Sequence, residues 1–230
     1  MLIQAEAAQE AIDTRRSEPC GVVRMTCPTA LLHARAADMV AEYMARHPKV
    51  TVHLDATDRR VDVVGEGIDL AIRVRPLPLE DSDLVLRKLG DRRQCVVAAP
   101  DLLDREGRPD APSGLARLPS LALGPPQDAP VWHLVRPDGT AVRIGLQPRL
   151  VTQSMAALRI AALAGVGVVQ LPAMMMAAEL RDGRLVEVLP GWAPPAEVIH
   201  AVFPSRRGQI PAVRALIDHL AARFRALDEE

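Results

Sequence analysis

The run from Arg60 to Pro78, RVDVVGEGIDLAIRVRPLP, constrains this chain more than any other. Val61 and Val64 lie three apart, which suits one short helical turn. Gly65 and Gly67 are expected to end it, since glycine accepts the positive φ of a helix C-terminus at little steric cost. A strand over 68–74 follows, with Leu70, Ala71, Ile72 and Val74 nearly continuous in apolar character. A strand without polar alternation is buried on both faces, as in a parallel sheet flanked by helices. Pro76 and Pro78 stop it at its C-terminal edge, outside which open α/β sheets hold their ligands.

The flanking chain repeats this alternation of strand and helix. Leu2, Ala5, Ala8 and Ile12 recur at helical spacing, so residues 2–15 read as a helix with a thin apolar stripe. A strand over 21–27 leads into Pro28-Thr29 and a helix with Leu32, Ala36, Met39, Val40, Tyr43 and Met44 on one face. Its end falls at His47-Pro48, because proline disfavours helix in the residue before it. After a strand over 50–54, the series β-α-β-α-β implies right-handed crossovers and a mostly parallel sheet. Strands over 84–89 and 94–99 and a short helix from Pro100 come next, then a loop over 107–119 and a strand over 121–124. Pro137-Asp138-Gly139 between 131–135 and 141–146 signals a hairpin. Beyond a strand over 149–152, Ser154 caps a helix over 155–164 that Gly165 and Gly167 terminate. Then come a strand over 168–171, a helix from Pro172 through Leu180, strands over 185–189 and 198–203, and a closing helix over 210–227.

Composition sets limits on function. The chain has 230 residues, 49% of them hydrophobic, so it can bury the core of two lobes of roughly 100 residues each. Its formal net charge of −1 argues against a surface devoted to nucleic acid. No apolar run of about 18 residues exists to span a membrane, and the N-terminus lacks the apolar core of a signal peptide, so a cytoplasmic location is expected. Cys20, Cys27 and Cys95 form no CxxC pair and read as reduced thiols, and no histidine stands at ligand spacing to a cysteine or carboxylate. No metal or cofactor is expected. Nucleophile elbow, Walker loop and HExxH motifs are absent, so the chain is not expected to be an enzyme.

Four segments in order then carry a resemblance: CPTALLHARAADMVAEYMARHPKV, VDVVGEGIDLAIRVRPLPLEDSDLVLRKLG, SMAALRIAALAGVGVVQLP and AVFPSRRGQIPAVRALIDHLAARF. Together they resemble, over about residues 17–228, the effector-binding domain of LysR-type transcriptional regulators. The resemblance implies an α/β, two-lobed periplasmic-binding-protein-like fold of type 2, two Rossmann-like lobes joined by two crossover strands. Residues 1–16 would be the end of a linker helix, 17–93 with 199–230 the first lobe, and 94–198 the second. It further implies a small-molecule effector held between the lobes, a homodimer that a full-length protein can extend to a tetramer, and DNA contact only through an N-terminal winged helix-turn-helix not present in this sequence. A free-standing solute-binding protein of the same fold is the alternative.

Candidate site residues combine both arguments. Thr29 and Ser154 each stand between a strand and a helix, either as plain N-caps or as parts of helix N-termini that offer N–H groups to an anion. With few aromatics nearby (2% of the chain), the remaining wall is aliphatic: Leu31, Leu77 and Val166. Arg73 and Arg75 leave one face of an ideal strand, and Arg75, followed by Pro76, is the effector candidate of the two. Ala30, Gly124, Gln153 and Phe203 complete the effector set that the resemblance implies, although Phe203 also reads as core. Residues 173–180, AMMMAAEL, are apolar almost all round, which one core face does not explain. With Ala37 and Ala41 on the first long helix, Met174 and Met175 are therefore the expected dimer contacts, since the family pairs these helices across a two-fold axis.

Overall fold

The computed structural model describes residues 18–78, 83–125 and 130–228, so the helix expected over 2–15 lies outside the described residues. The strands are β1 (Gly21–Cys27), β2 (Val50–Ala56), β3 (Leu70–Pro76), β4 (Val85–Arg92), β5 (Gln94–Ala98), β6 (Ser120–Leu123), β7 (Val131–Val135), β8 (Ala141–Gly145), β9 (Pro148–Thr152), β10 (Val168–Pro172), β11 (Val186–Glu187) and β12 (Glu197–Phe203). The helices are α1 (29–46), α2 (Pro100–Glu106), α3 (Pro112–Leu115), α4 (Met155–Leu163), α5 (Ala177–Arg181) and α6 (Pro211–Asp228). Contacts divide them into two units. Residues through Asp91 and from Val198 onward form unit 1, and Arg92–Glu197 form unit 2.

Unit 1 is built on a five-stranded sheet in the order β2-β1-β3-β12-β4, with β1 parallel to both β2 and β3. Leu70, Ala71, Ile72 and Val74 of β3 are all buried, the two-sided burial that their apolar run implies. Tyr43 of α1 is fully buried and its hydroxyl donates to the Ala212 carbonyl at the start of α6, 2.8 Å away. Asp69 is buried at the entry to β3, where it accepts from the Arg24 N–H at 2.8 Å and meets the Arg207 guanidinium at 3.2 Å. A buried carboxylate needs such partners.

Within α1, the segment Leu32–Ala36 is a π-helix between α-helical Thr29–Leu31 and Ala37–Arg46. The extra residue per turn corrects the expected apolar stripe. Leu31 and Ala36, five apart, are the buried pair, while Leu32 is only half-buried and Met44 is exposed. A regular 3.6-residue repeat does not bury both Leu31 and Ala36 in line with Met39, Val40 and Tyr43.

Unit 2 contains a five-stranded sheet in the order β11-β5-β10-β6-β9 and the hairpin β7-β8. The helix-linked strands β6, β9 and β10 run parallel, whereas β5 is antiparallel to both β10 and β11, so this sheet is mixed. One core cluster gathers Leu102, Leu103, Leu115, Trp132, Leu134 and Ile144 beneath the hairpin. The other gathers Leu121, Leu158, Val169, Leu171 and Met176 around α4.

Several local expectations are corrected. Residues 63–67 form a hydrogen-bonded turn rather than a helix, and only Gly67 has positive φ, at 68°. Gly65 instead lies so close to the Asp62 carboxylate that a Cβ would collide with it. The loop over 107–119 contains α3, because Leu115 must reach the core. The helix from Pro172 through Leu180 is broken: a 3₁₀ turn over Ala173–Met175 stops at Met176, whose φ of −125° leaves the helical region, and α5 begins after it. The break drives Met176 into the core and brings Glu179 inside beside the Arg159 and Arg184 guanidinium groups.

Candidate functional site

The two strand-to-helix junctions differ in chemistry. At the start of α4, Ser154 has extended backbone angles and its Oγ accepts from the Ala157 N–H at 3.2 Å, which makes it a true N-cap. The Ser154 N–H in turn donates to the Thr152 hydroxyl at 3.1 Å. Gln153 and Ser154 are exposed, Val166 is half-buried, and Gly124, with φ of 137°, donates its N–H to the Thr152 carbonyl at 3.0 Å. Gly124, Gln153 and Ser154 thus gather around the carboxyl ends of β6 and β9, the edge where α/β sheets bind ligands. Val166 instead precedes β10, which runs parallel to β6, and so lies at the opposite, amino-terminal edge. Its carbonyl accepts from Arg149 at 3.3 Å, and its side chain does not line the expected site.

At the start of α1 the cap position belongs to Pro28, and Thr29 is the first helical residue. Its N–H is already used: it donates to the Asp58 carboxylate at 3.1 Å. The helix N-terminus of unit 1 therefore carries an internal anion, which its partial positive charge favours. Asp58 leaves no mark in the spacing of apolar residues, and sequence reasoning missed it. Ala30 is half-buried beside Thr29, but Leu31 is 1% exposed and serves the core, so its side chain forms no open wall. Phe203 likewise packs inward, its ring directly over Gly208.

Arg73 and Arg75 project from β3 as the alternation requires, yet their surroundings differ. Arg73 is half-buried and its Nη2 donates to the Val61 carbonyl at 3.0 Å. Arg75 is exposed, and among the described residues its Nη1 donates to the carbonyl of Val74, its neighbour, at 2.9 Å. Leu77 beyond it is 66% exposed. His200 on β12 is buried, with Nδ1 3.2 Å from the Val198 carbonyl. Burial, and then the Arg73 and Arg75 charges, hold its pKa below the usual 6.5 against the opposing pull of that carbonyl. Nothing in the sequence pattern distinguished His200 from an ordinary strand residue.

The two buried thiols are not activated. Burial, and then the Asp58 charge, push Cys27 up to about 12, and burial followed by Glu187 pushes Cys95 up to about 11. A thiolate, the reactive form, is scarce at either position near neutral pH. Among the described residues no group of three or more histidine, cysteine or carboxylate side chains is placed to hold a metal ion. No described helix is long and apolar enough to cross a membrane.

Of the expected dimer contacts, Ala37 and Ala41 are exposed on α1, whereas Met174 and Met175 are half-buried in the 3₁₀ turn. The burial of Met176 explains much of the apolar character of 173–180 without a partner. The large exposed aliphatic side chain on α4 is Ile160, 64% exposed. Periodicity missed it because α4 is apolar at every position but Arg159 and so shows no distinct outer face.

Comparisons with known proteins agree with this architecture. The model of the LysR substrate binding domain matches residues 16–225. An HTH-type transcriptional regulator of Xanthomonas campestris pv. campestris is 34% identical over 226 residues, covering 96% of this chain and 64% of that protein. The HTH-type transcriptional regulator PtxR of Pseudomonas aeruginosa is 34% identical over 222 residues, 96% of this chain and 70% of its own length. The full-length structure of the Vibrio cholerae virulence activator AphB, a member of the LTTR family, superposes with a TM-score of 0.79 at 25% identity, covering 95% of this chain and 73% of that one. This chain thus spans roughly two thirds of the length of such regulators. The α/β, two-lobed, type 2 periplasmic-binding-protein-like fold that the sequence implies is the fold of these regulatory domains. With the family model matched across nearly the whole chain, this protein belongs to the LysR substrate-binding domain family.

Proposed function

We propose that this chain is the effector-sensing part of a LysR-type transcriptional regulator, that its effector is a small organic acid, and that it catalyses no reaction. The observation that carries the ligand class is the capped N-terminus of α4. There, Ser154 satisfies Ala157 while the Met155 and Ala156 N–H groups have no protein acceptor among the described residues. These two orphan donors and the positive end of a helix dipole favour a carboxylate. Exposed Gln153 stands beside it in unit 2. In unit 1, Thr29 and Ala30 at the start of α1, with Arg75 and Leu77, are the corresponding candidates, but an acid bound at Thr29 must displace Asp58. DNA contact belongs to a helix-turn-helix module, and the regulator acts in the cytoplasm as a homodimer through the Ala37 and Ala41 face of α1. The curated relatives, HTH-type regulators, favour this reading over a free-standing solute-binding protein.

The test is a thermal-shift screen of carboxylates against their matched amides, followed by calorimetry. Ser154→Ala should weaken the best acid by about 1–3 kcal/mol, the range for a lost hydrogen bond to a charged group. Thr29→Val reports the same for unit 1. Equal affinity for acid and amide, with both variants binding like the parent, refutes the carboxylate reading.

A further inference from the structure

We propose that Arg73, Arg75 and His200 in unit 1 form a binding site for a small dianion, an oxyanion or a short dicarboxylate. The placement follows from the sheet. Ala71 of β3 and Val202 of β12 pack in one cluster with Val63, and β3 and β12 are hydrogen-bonded neighbours. Side chains two apart share a face, so Arg73 and Arg75 leave β3 on the side of Ala71, and His200 leaves β12 on the side of Val202. Two guanidinium groups and an imidazole thus stand on one face beside a small apolar cluster.

These cations lack the counter-charges common elsewhere in the chain. Arg59, Arg87, Arg92, Arg93, Arg159 and Arg207 each meet a carboxylate. Among the described residues, Arg73 and Arg75 spend one donor each on the carbonyls of Val61 and Val74 and form no ion pair. The charges that bear on them are of like sign. Burial first, then Arg60 and Arg75, lower the pKa of Arg73, and no carboxylate among the described residues contributes. Among the described residues, the groups facing His200 are the Val198 carbonyl of its own strand and Arg73 and Arg75 of β3, again without a carboxylate. The half-buried Arg73 guanidinium held near the like charge of Arg75 is costly, and a dianion relieves that repulsion while accepting from the remaining N–H donors.

Proton linkage follows. With the site empty His200 is neutral at neutral pH, because its pKa lies below 6.5. A bound dianion raises that pKa, so binding takes up a proton as pH falls toward it, and affinity rises with acidification by up to about tenfold per pH unit. The site shares Arg75 with the effector reading but does not rest on the α4 terminus.

Sulfate, dianionic throughout the accessible pH range, is the probe, with succinate as the organic dianion and methanesulfonate as the monoanion at matched ionic strength. Imidazole resonances of the whole chain are followed by NMR from pH 8 to 5. Sulfate and succinate should raise the His200 pKa saturably and methanesulfonate should not. Arg75→Gln should raise it without any ligand and weaken sulfate at least about tenfold. Thr29→Val and Ser154→Ala should leave sulfate binding intact, whatever they do to an organic acid. A His200 pKa indifferent to both dianions, or shifted equally by methanesulfonate, overturns the site. So does parental sulfate affinity in Arg75→Gln.

Discussion

Replacing Arg92 with methionine should destabilise unit 2 far more than an ordinary surface change. Arg92 ends β4 and Glu197 opens β12, at the two points where the chain passes between units. The Arg92 Nε donates to the Glu197 carboxylate at 2.9 Å, its Nη2 binds the same oxygen, and Gln94 Nε2 adds a third bond at 2.6 Å. Gln94 is itself anchored, since its Oε1 accepts from Gln170 at 3.2 Å. The side chains of Arg92 and Glu197 are only 7% and 15% exposed, so this is a desolvated pair rather than a surface bridge. Breaking such a pair from one side costs about 3–5 kcal/mol, because a buried charge is left uncompensated. Gln94 still serves Glu197, which puts the expectation at the lower end, about 3 kcal/mol. At about 2–4 °C per kcal/mol for a chain of this size, Tm should fall by roughly 6–12 °C in calorimetry. The second half of the argument is the asymmetry: Arg92→Met with Glu197→Gln removes the orphaned charge and should recover most of the loss. A single variant costing under about 1 kcal/mol, the range of an exposed pair, refutes the reasoning. Additive losses in the double variant do so too.

Three further outcomes follow from the same structure. Of the three cysteines only Cys20, which is exposed, should react rapidly with a thiol reagent at pH 8, whereas Cys27 and Cys95 should react only on unfolding; fast modification of Cys27 contradicts its raised pKa. The folded-state pKa values of His200 and His219 are lowered, chiefly by burial, so their stabilisation is fully present above 6.5 and lost as pH falls through the lowered values. Tm should therefore drop between pH 7 and 5, and His219→Gln should flatten that slope; an unchanged slope argues that other groups control it. Ala41→Glu should convert the proposed dimer to monomer in sedimentation, and Met175→Glu and Ile160→Glu then show which surface of unit 2 meets α1. A dimer that survives Ala41→Glu excludes the α1 face.

Local chemistry made much of the fold legible. Strand β1 begins and ends where Gly21 and Pro28 bracket it, and β3 reads as a two-sided buried strand because Leu70, Ala71, Ile72 and Val74 leave no polar face. Ser154 declares itself as a cap because a hydroxyl before a helical repeat is the group that satisfies an orphan N–H, and Ala157 is the residue it reaches. Such signals act over a few residues, and the chain carries them wherever it goes. Of the candidate site, Ser154, Arg75 and the exposed Leu77 stand where this local logic puts them on their own elements.

Other features depend on what a neighbour distant in sequence supplies. The π segment exists because Leu31 and Ala36 both pack into one core, and a five-residue step has no signature in a 3.6-residue repeat. The break at Met176 follows from a core that takes that side chain whole, and the burial of Glu179 from the guanidinium of Arg159, twenty positions away. Thr29 and Asp58 are 29 residues apart, and only the pairing of β1 with β2 brings a carboxylate onto the helix. Arg73 and His200 are farther apart still and share a face only because β12 returns to lie beside β3. Periodicity reports how a segment folds against an average environment. Which charge meets which, and which side chain is left without a partner, is settled by the long-range strand order that tertiary packing alone selects.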